Sequence, residues 1–330
     1  MLQTTFRIRP GITRIGLGLA ALGRPAYINL GRHADLPAHR DVDVMERRCH
    51  AMLDAAYAAG IRYFDAARSY GRAEQFLGRW LDARHLSRTA ATVGSKWGYT
   101  YTADWRPDAG VHEVKDLSRE TLDRQLAESR ANLGDRLALY QIHSATLDSG
   151  VLDDARVLAA LVRLAREGLV IGLTVSGPRQ ADTIRRAFEA DVDGVNPFRC
   201  VQATWNLLEP SAGLALADAH ARGWGVIVKE SLANGRLTSH DEGPHVNAVR
   251  RVADDLGADV DADVDAVAMA AALAQPWADV VLSGAVTEAQ LASNLRSPDV
   301  SLGASHLDAL AALAEPADQY WMRRSRLPWT

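Results

Sequence analysis

The feature that most constrains the fold of this chain is a repeated alternation of short apolar runs with amphipathic segments. Apolar runs bounded by turn residues are typical of buried strands, whereas the segments between them carry the periodicity of helices. The predicted strands lie near Ile15–Leu19, Tyr63–Phe64, Ala91–Gly94, Leu137–Ile142, Val170–Val175, Val201–Thr204, Gly225–Val228 and Val280–Leu282. The predicted helices between them lie around Val44–Ala59, Ala73–Ala83, Ser118–Leu133, Asp154–Arg166, Arg179–Glu189, Ser211–Arg222 and Glu288–Leu295. Because eight strands alternate with helices, the pattern predicts an α/β fold, a closed (β/α)8 TIM barrel.

Several segments fall outside this repeat. Thr5–Arg9 and Thr13–Ile15, joined by a Pro-Gly turn, predict a hairpin before the first strand. The loop Trp97–Leu117 is longer than most connections, so it is a candidate functional loop. A second long excursion and two extra helices are predicted at Ser231–His245, Val264–Ala274 and Ser305–Ala314. Since composition does not change along the chain, residues 1–330 are predicted to form a single barrel domain.

Charge and cysteine content narrow the class of protein. A net charge of −4, spread along the chain, argues against nucleic acid or a membrane as the main partner. Cys49 and Cys200 lie far apart without metal-like spacing, and no secretory signal precedes the first strand, which together predict a cytoplasmic location. The aspartates that alternate over residues 259–265 lack the glycine and closing glutamate of a calcium loop. We interpret them as solvated charge and predict no metal; oligomeric state stays open.

Four ionisable residues stand at the ends of consecutive predicted strands. Asp65 ends the second strand, and Tyr70 lies in the loop that follows it. Lys96 ends the third strand and His143 ends the fourth. Active residues of such barrels come from the C-terminal strand ends, and neighbouring strands are about 4.8 Å apart. The sequence therefore predicts that Asp65, Tyr70, Lys96 and His143, here called the tetrad, share one pocket.

The tetrad has the composition of a proton-transfer site. A tyrosine of pKa ~10 is a poor acid at neutral pH. Lys96 is expected to lower the pKa of Tyr70, Asp65 to hold the lysine, and a neutral His143 to donate a hydrogen bond to a carbonyl oxygen. Taken singly, each has an ordinary explanation: a helix cap, a surface aromatic or a satisfied core histidine. Their joint placement favours catalysis.

These segments resemble the signatures of one family. GIRYFDAARSYG at residues 60–71, SK at 95–96 and YQIH at 140–143 are similar to the three motifs of the aldo-keto reductase superfamily. The resemblance spans roughly Gly16 to Asn294. It implies an NAD(P)(H)-dependent enzyme that reduces an aldehyde or ketone to an alcohol, or works in reverse on an alcohol or sugar. By the same resemblance Tyr70 is the general acid/base.

The resemblance also implies contacts to a dinucleotide. Ser176 and Gln202 correspond to carboxamide contacts, while Trp205 corresponds to the ring that stacks on the nicotinamide. The loop from Ser231 to Leu237 resembles the segment that wraps the pyrophosphate, and Ser283-Gly284 matches the usual phosphate position. The full set implied is Ser176, Gln202, Trp205, Ser231, Leu232, Asn234, Gly235, Arg236, Ser283, Gly284, Val286, Gln290 and Asn294.

The choice of cofactor rests on the adenosine end. Val286 stands where a residue that contacts a 2′-phosphate is frequent in the family. We expect NADP(H) ahead of NAD(H) on family frequency, with Arg236 as a substitute charge.

Aromatic residues suggest where the small-molecule substrate lies. Trp97, Tyr99 and Trp105 crowd the long loop after Lys96 and are predicted to wall an apolar substrate pocket. The tail from Tyr320 to Trp329 is predicted to fold back over the same mouth.

Two alternatives stay open. Of the 37 basic residues only three are lysines, and Lys96 and Lys229 both end predicted strands, as in a Schiff-base aldolase or isomerase. The other alternative is a regulatory barrel that binds the cofactor but turns over little.

Overall fold

The computed structural model describes residues 13–31, 35–257 and 263–329. Eight parallel strands close into a barrel in the order β1-β10-β9-β8-β7-β6-β3-β2, with helices between them, which confirms the predicted (β/α)8 fold. The strands are β1 Ile15–Gly18, β2 Tyr63–Asp65, β3 Thr92–Trp97, β4 Tyr99–Tyr101, β5 Glu113–Lys115, β6 Leu137–Ala145, β7 Val170–Val175, β8 Phe198–Thr204, β9 Gly225–Lys229 and β10 Val280–Ser283.

The helices cover the outside of the barrel and extend beyond it. They are α1 Val42–Ala58, α2 Ala73–Ala83, α3 Arg119–Leu133, α4 Ala155–Arg166, α5 Gln180–Phe188, α6 Gly213–Ala221, α7 Pro244–Asp255, α8 Val264–Leu273, α9 Glu288–Leu295, α10 Ala304–Ala311 and α11 Ala317–Ser325. Every predicted strand and helix is present within a few residues. The strand and turn of the predicted N-terminal hairpin, at residues 5–11, lie outside the described residues.

Three segments differ from the sequence prediction. The long loop after β3 contains a two-stranded antiparallel hairpin, in which β4 pairs with β5. Helix α7 was not predicted, although Gly243 as N-cap and Pro244 at the first helical position are the usual start signals. Helix α11 occupies the tail, where Tyr320 and Trp321 are buried against α7, α8 and α10.

The barrel interior is packed with side chains from alternating positions of its strands. The interior cluster consists of Tyr63, Leu139, Val170, Cys200, Ile227, Val280 and Leu282. The Tyr63 side chain fits because its hydroxyl end lies over a glycine of β3: a Cβ on Gly94 would lie 2.3 Å from the Tyr63 hydroxyl oxygen. These side chains fill the interior of the barrel below the C-terminal strand ends, so a pocket can form only above them. Among the described helices, none has the length and apolarity needed to cross a membrane.

Candidate active site

The tetrad comes together where β2, β3 and β6 end. Asp65 is the last residue of β2 and pairs in register with Gly94 on β3, one alternation before Lys96. Since side chains alternate along a strand, Lys96 points to the same face as Gly94, which is the barrel interior. His143 lies near the end of β6 and Tyr70 in the turn before α2. The structure thus brings the four predicted residues together at the same end of the barrel, and their catalytic role stays a prediction.

Asp65 and Lys96 form a buried ion pair. The Lys96 ammonium donates to Asp65 Oδ2 and, at 2.8 Å, to the Ala66 carbonyl oxygen. Asp65 Oδ1 accepts from the Tyr63 hydroxyl at 3.0 Å and from Gln202 Nε2 at 2.9 Å. The two charged side chains are only 2% and 1% exposed. Because the carboxylate is held from three directions, the ammonium has a fixed position.

Tyr70 and His143 face each other across this pair. The Lys96 ammonium lies 4.8 Å from the centroid of the Tyr70 ring, and the His143 ring centroid is 5.5 Å from the same ring at an angle of 81°. Ser69 Oγ is 3.5 Å from His143 Nδ1, a contact at the limit of hydrogen bonding. The Tyr99 ring packs edge-on against His143 with a centroid separation of 5.0 Å. The two rings and the ammonium therefore surround a space that can hold a small polar group.

An arginine that the sequence prediction missed also contacts Tyr70. The guanidinium carbon of Arg24, a buried residue in the loop after β1, lies 5.0 Å from the Tyr70 ring centroid and 4.9 Å from those of Tyr27 and Trp329. Its Nη1 donates to Glu113 Oε2 at 2.9 Å. Nothing around Arg24 in the sequence forms a recognisable motif, so only its position in the fold reveals it.

Burial dominates the electrostatics of the tetrad. It raises the pKa of Tyr70 well above the ordinary tyrosine value, the Asp65 carboxylate raises it further, and Arg24 opposes both. The sequence predicts that Lys96 lowers the pKa of Tyr70, but the net shift of this pKa is upward, so the prediction is wrong. Burial, and then the charge of Lys96, hold the pKa of His143 well below the ordinary value. At neutral pH the tyrosine carries its proton and the imidazole is neutral.

A second cluster of buried charges follows β9. Lys229 Nζ donates to Thr204 Oγ1 at 2.7 Å and lies 3.9 Å from Glu230 Oε1. Arg324 of α11 donates to the same carboxylate, with its Nε 2.8 Å from Glu230 Oε2. Burial lowers the pKa of Lys229 to about 8. Although burial opposes its ionisation, Arg324 and Lys229 hold the pKa of Glu230 at about 2. The cluster ties the C-terminal helix to the mouth of the barrel.

A cavity of about 540 Å³ connects the tetrad to the outer helices. Asp65, Tyr70 and Gln202 line it at the barrel end, and Asp265, Gln290 and Asn294 line it on α8 and α9. Its volume falls within the range of about 300–1,000 Å³ that is usual for pockets holding small molecules and cofactors.

Two loops bridge part of this cavity. Leu30 N donates to the Asn234 carbonyl oxygen at 2.9 Å, and Asn234 Nδ2 donates to the Ile28 carbonyl oxygen at 3.0 Å. On the β9 side the backbone is strained, since Glu230, Ala233 and Asn234 have φ of 56°, 48° and 55°. Non-glycine residues with such angles are uncommon and concentrate at ligand clamps and active sites.

The cavity has features that fit a dinucleotide. Asn234 Oδ1 is buried beside it without a hydrogen-bond partner among the described residues, and such an acceptor requires a donor. A Cβ placed on Gly284 would meet no atom within 4 Å, so the backbone there is open to a close-lying ligand. These observations support a bound molecule that runs from the tetrad past Asn234 and Gly284.

Most predicted cofactor-binding residues line this cavity. The lining includes Gln202, Ser231, Leu232, Asn234, Gly235, Ser283, Gly284, Gln290 and Asn294. Ser176 directly follows β7 and is not part of the lining.

Three other predictions need correction. The Trp205 ring lies outside the cavity, against Trp277 with a centroid separation of 5.8 Å, because it follows β8 on the side of the surrounding helices. Arg236 is not a free charge, since its Nη2 is 2.5 Å from Glu315 Oε1. Val286 is fully buried; its backbone N–H donates to Gln290 Oε1 at 3.0 Å, and its carbonyl oxygen accepts from Arg48 Nε at 2.9 Å.

Of the three predicted substrate-pocket aromatics, one lies beside the tetrad and two do not. Tyr99 lies beside His143, as its ring contact shows. Trp97 is fully buried in the core between barrel and helices, because strand alternation points it away from the face that carries Lys96. Trp105 packs on Phe76 and donates its Nε1–H to the Arg40 carbonyl oxygen at 2.6 Å. Trp97 and Trp105 are therefore structural.

The tail returns to the same mouth. Trp329 stacks on His112 with a centroid separation of 4.1 Å and contributes a ring to the surroundings of Arg24. The prediction for the aspartates around residue 264 holds only in part. Asp265 is half-buried and lines the cavity, whereas Asp263 lines the cavity but is exposed, as predicted. Asp259 and Asp261 lie outside the described residues.

Comparison with known proteins identifies the family. The family model described as the aldo/keto reductase family matches residues 14–315. The chain belongs to the aldo/keto reductase family. This aldo/keto reductase is 30% identical over 250 residues to D-threo-aldose 1-dehydrogenase of a Pseudomonas species, covering 71% of each chain. It is also 28% identical to aldo-keto reductase str7 of Strobilurus tenacellus over 217 residues, which are 63% of this chain and 58% of that protein.

Solved structures agree on the fold. The aldo-keto reductase AKR11C1 from Bacillus halodurans, in its holo form, superposes with a TM-score of 0.69 at 19% identity, covering 95% of this chain and 98% of that one. At this identity the likeness shows the fold alone. Family membership makes this aldo/keto reductase an oxidoreductase with a small-molecule substrate, in a family that uses nicotinamide cofactors.

Proposed function

We propose that the protein reduces an aldehyde or ketone to an alcohol with a nicotinamide cofactor, and that Tyr70 supplies the proton. The observation that carries this proposal is the position of Tyr70, which lines the cavity within 4.8 Å of the buried Lys96 ammonium, measured to the ring centroid. The cofactor would supply the hydride to the carbonyl carbon. Gln202, Ser231, Asn234, Ser283 and Gly284 would hold it along the cavity.

The residues around Tyr70 support proton donation to the carbonyl oxygen. Because burial keeps the phenol protonated, Tyr70 is in the acid form that reduction requires. The neutral His143 can donate one hydrogen bond to the same oxygen without competing as an acid. As negative charge develops on the oxygen, the fixed Lys96 ammonium stabilises the phenolate that Tyr70 leaves behind.

The reverse direction is a second candidate. One relative is named D-threo-aldose 1-dehydrogenase, which suggests oxidation of a sugar hydroxyl by the same groups. A Schiff-base mechanism is less well supported, since the Lys96 ammonium is engaged by Asp65. A single barrel domain and a cytoplasmic location also remain proposals, the latter supported by two buried, unpaired cysteines.

The test is loss of the Tyr70 hydroxyl. Tyr70→Phe is expected to lower carbonyl-dependent oxidation of the reduced cofactor, followed at 340 nm, by about 10²–10⁴-fold, because a general acid contributes that much. The dissociation constant of the cofactor should stay nearly unchanged. Tyr57→Phe, at a half-buried tyrosine on α1, is the matched control and should keep full activity.

The assay should cover aldehydes, ketones and sugars in both directions with both cofactors. Turnover by Tyr70→Phe comparable to that of the unmodified protein would exclude the proposed role. Tight cofactor binding with negligible turnover on every compound would instead favour the regulatory alternative.

A further inference from the structure

The outer end of the cavity must hold the adenosine if the proposed function is correct. The hydride-donating ring has to lie beside Tyr70, so the rest of an extended dinucleotide runs toward α8 and α9. That end is lined by side chains from three separate segments: Asp35 in the loop after β1, Asp265 at the start of α8, and Gln290 and Asn294 on α9. The inference below rests on the proposed function through this assignment alone.

The polar groups at this end hold two carboxylates in place. Gln290 Nε2 donates to Asp35 Oδ2 at 2.8 Å. Asp265 accepts from Ser293 Oγ and from Asn294 Nδ2, both at 2.7 Å. These hydrogen bonds fix the positions of both carboxylates at the cavity wall.

Within the part of the chain that the structure describes, both side-chain contacts of Asp35 use the same carboxylate oxygen. His240 Nε2 lies 3.0 Å from Asp35 Oδ2, the same oxygen that Gln290 contacts. Since both contacts use Oδ2, Asp35 Oδ1 can accept a hydrogen bond from a hydroxyl group. A ribose hydroxyl has the required donor, and a phosphate does not.

Three carboxylates line this end, and they differ in their partners. Asp35 and Asp265 are held by neutral donors, whereas Asp263 is exposed and pairs with Arg296 Nη2 at 2.7 Å. Burial, and then the Asp263 carboxylate, raise the pKa of Asp265. Among the described residues that line this end, Arg250 is exposed and His240 contacts Asp35. Arg48, which is not part of the lining, donates to the backbone carbonyl oxygens of Asp35 and Val286 at 2.7 and 2.9 Å. Gly284, Ala285 and the buried Val286 contribute no charge, and Arg236 is engaged by Glu315.

We propose that Asp35, supported by Asp265, selects NAD(H) over NADP(H). An acidic side chain that accepts from the ribose 2′-hydroxyl is the device by which dinucleotide sites favour NAD, whereas an arginine nearby accommodates the 2′-phosphate of NADP. A phosphate group carries close to two negative charges at neutral pH, and here it would be placed against two fixed carboxylates. This reverses the expectation drawn from family frequency.

The first test measures binding rather than turnover. Dissociation constants of NADH and NADPH are measured for the unmodified protein by fluorescence titration at low ionic strength. We expect NADH to bind at least about tenfold more tightly than NADPH, because the 2′-phosphate of NADPH would be repelled by a carboxylate near the protein surface. Because salt screens repulsion between partly exposed charges, the ratio of the two dissociation constants should move toward one as the salt concentration is raised.

Variants locate the preference. Asp35→Asn, and Asp35→Asn combined with Asp265→Asn, are expected to lower the NADPH dissociation constant by about tenfold per charge removed, while that of NADH stays equal or rises. Asparagine preserves the shape and the hydrogen-bond acceptor. Asp182→Asn, at an exposed carboxylate on α5, is the matched control and should change neither constant.

The outcomes separate this inference from the proposed function. Equal affinities, or tighter NADPH binding with no effect of salt, would overturn the inference and leave the proposed function intact. Absence of binding by either dinucleotide would overturn the proposed function itself. A variant that fails to fold does not decide the matter, because the affinities of the unmodified protein and their salt dependence already do.

Discussion

Replacing Lys96 by methionine tests the buried ion pair that organises the site. Methionine has nearly the same length but no charge, so Asp65 would keep its burial and lose its counter-ion. Removing one partner of a buried pair costs about 3–5 kcal/mol. The carboxylate would still accept from Tyr63 at 3.0 Å and from Gln202 at 2.9 Å, and hydrogen bonds to a charged group contribute about 1.5–3 kcal/mol each.

Those remaining bonds place the loss at the low end of the range. The Ala66 carbonyl also loses its bond to Lys96, which adds part of the roughly 1–3 kcal/mol for a buried unsatisfied acceptor. We therefore expect Lys96→Met to lower the free energy of unfolding by about 3–4 kcal/mol at pH 7, measured by urea denaturation. Lys115→Met, at an exposed lysine on β5 whose Nζ donates to the Ser144 carbonyl oxygen at 2.7 Å, removes one solvent-accessible hydrogen bond and should change it by no more than about 1 kcal/mol.

A double-mutant cycle with Asp65→Asn shows whether the pair itself is responsible. The double variant removes both charges at once, so its loss of stability should be at least about 2 kcal/mol smaller than the sum of the two single losses. If the sum of the two single losses equals the loss in the double variant to within about 0.5 kcal/mol, the two charges do not compensate each other, and the ion pair is not the cause of the destabilisation.

Two further predictions concern pH. The pKa of His143 in the native protein lies below the value of about 6.5 in the unfolded chain, so the unfolded chain takes up the proton first and the free energy of unfolding falls as pH drops below about 6.5. In His143→Gln the loss of free energy of unfolding between pH 7 and pH 5, measured by urea denaturation, should be smaller by about 1–2 kcal/mol. Parallel curves for the variant and the unmodified protein would contradict this. Arg24 opposes the upward shift of the Tyr70 pKa, so in Arg24→Gln the rise of alcohol oxidation with pH should move to higher pH. Arg24→Lys keeps the charge and should retain the original profile. Equal profiles for the two variants would exclude the electrostatic role.

The barrel was predictable because its signals are local and repeated. Strand β7 and helices α2 and α9 have the predicted bounds, since each is a continuous apolar or amphipathic run closed by turn residues. The β4–β5 hairpin was not predicted, because three-residue strands leave no measurable periodicity. Their pairing depends on the long-range return of the chain from Tyr101 to Glu113, which no local pattern encodes.

The placement of three tetrad residues was predictable for a similar reason. Asp65, Lys96 and His143 lie at or near strand ends, and parallel strands bring their C-terminal ends to one face. Backbone geometry alone therefore places Asp65, Lys96 and His143 together, and the motif spacing needs no knowledge of the loops. Arg24 escaped prediction because it reaches Tyr70 from a loop, where sequence position does not determine direction.

The predictions for Trp97 and Trp205 were wrong for the same reason: they considered the residue type but not the face of the strand on which the residue lies. A residue next to an interior position on a strand points outward, and both tryptophans neighbour interior polar residues, Lys96 and Thr204. At such outward positions large aromatic rings fill the layer between barrel and helices, as the contact of Trp205 with Trp277 shows. A charged residue at the same strand ends is more informative, because burial penalises it unless the pocket supplies a partner. That asymmetry explains why the four predicted ionisable residues lie together at the barrel mouth, whereas Trp97, Trp105 and Trp205 pack against the core.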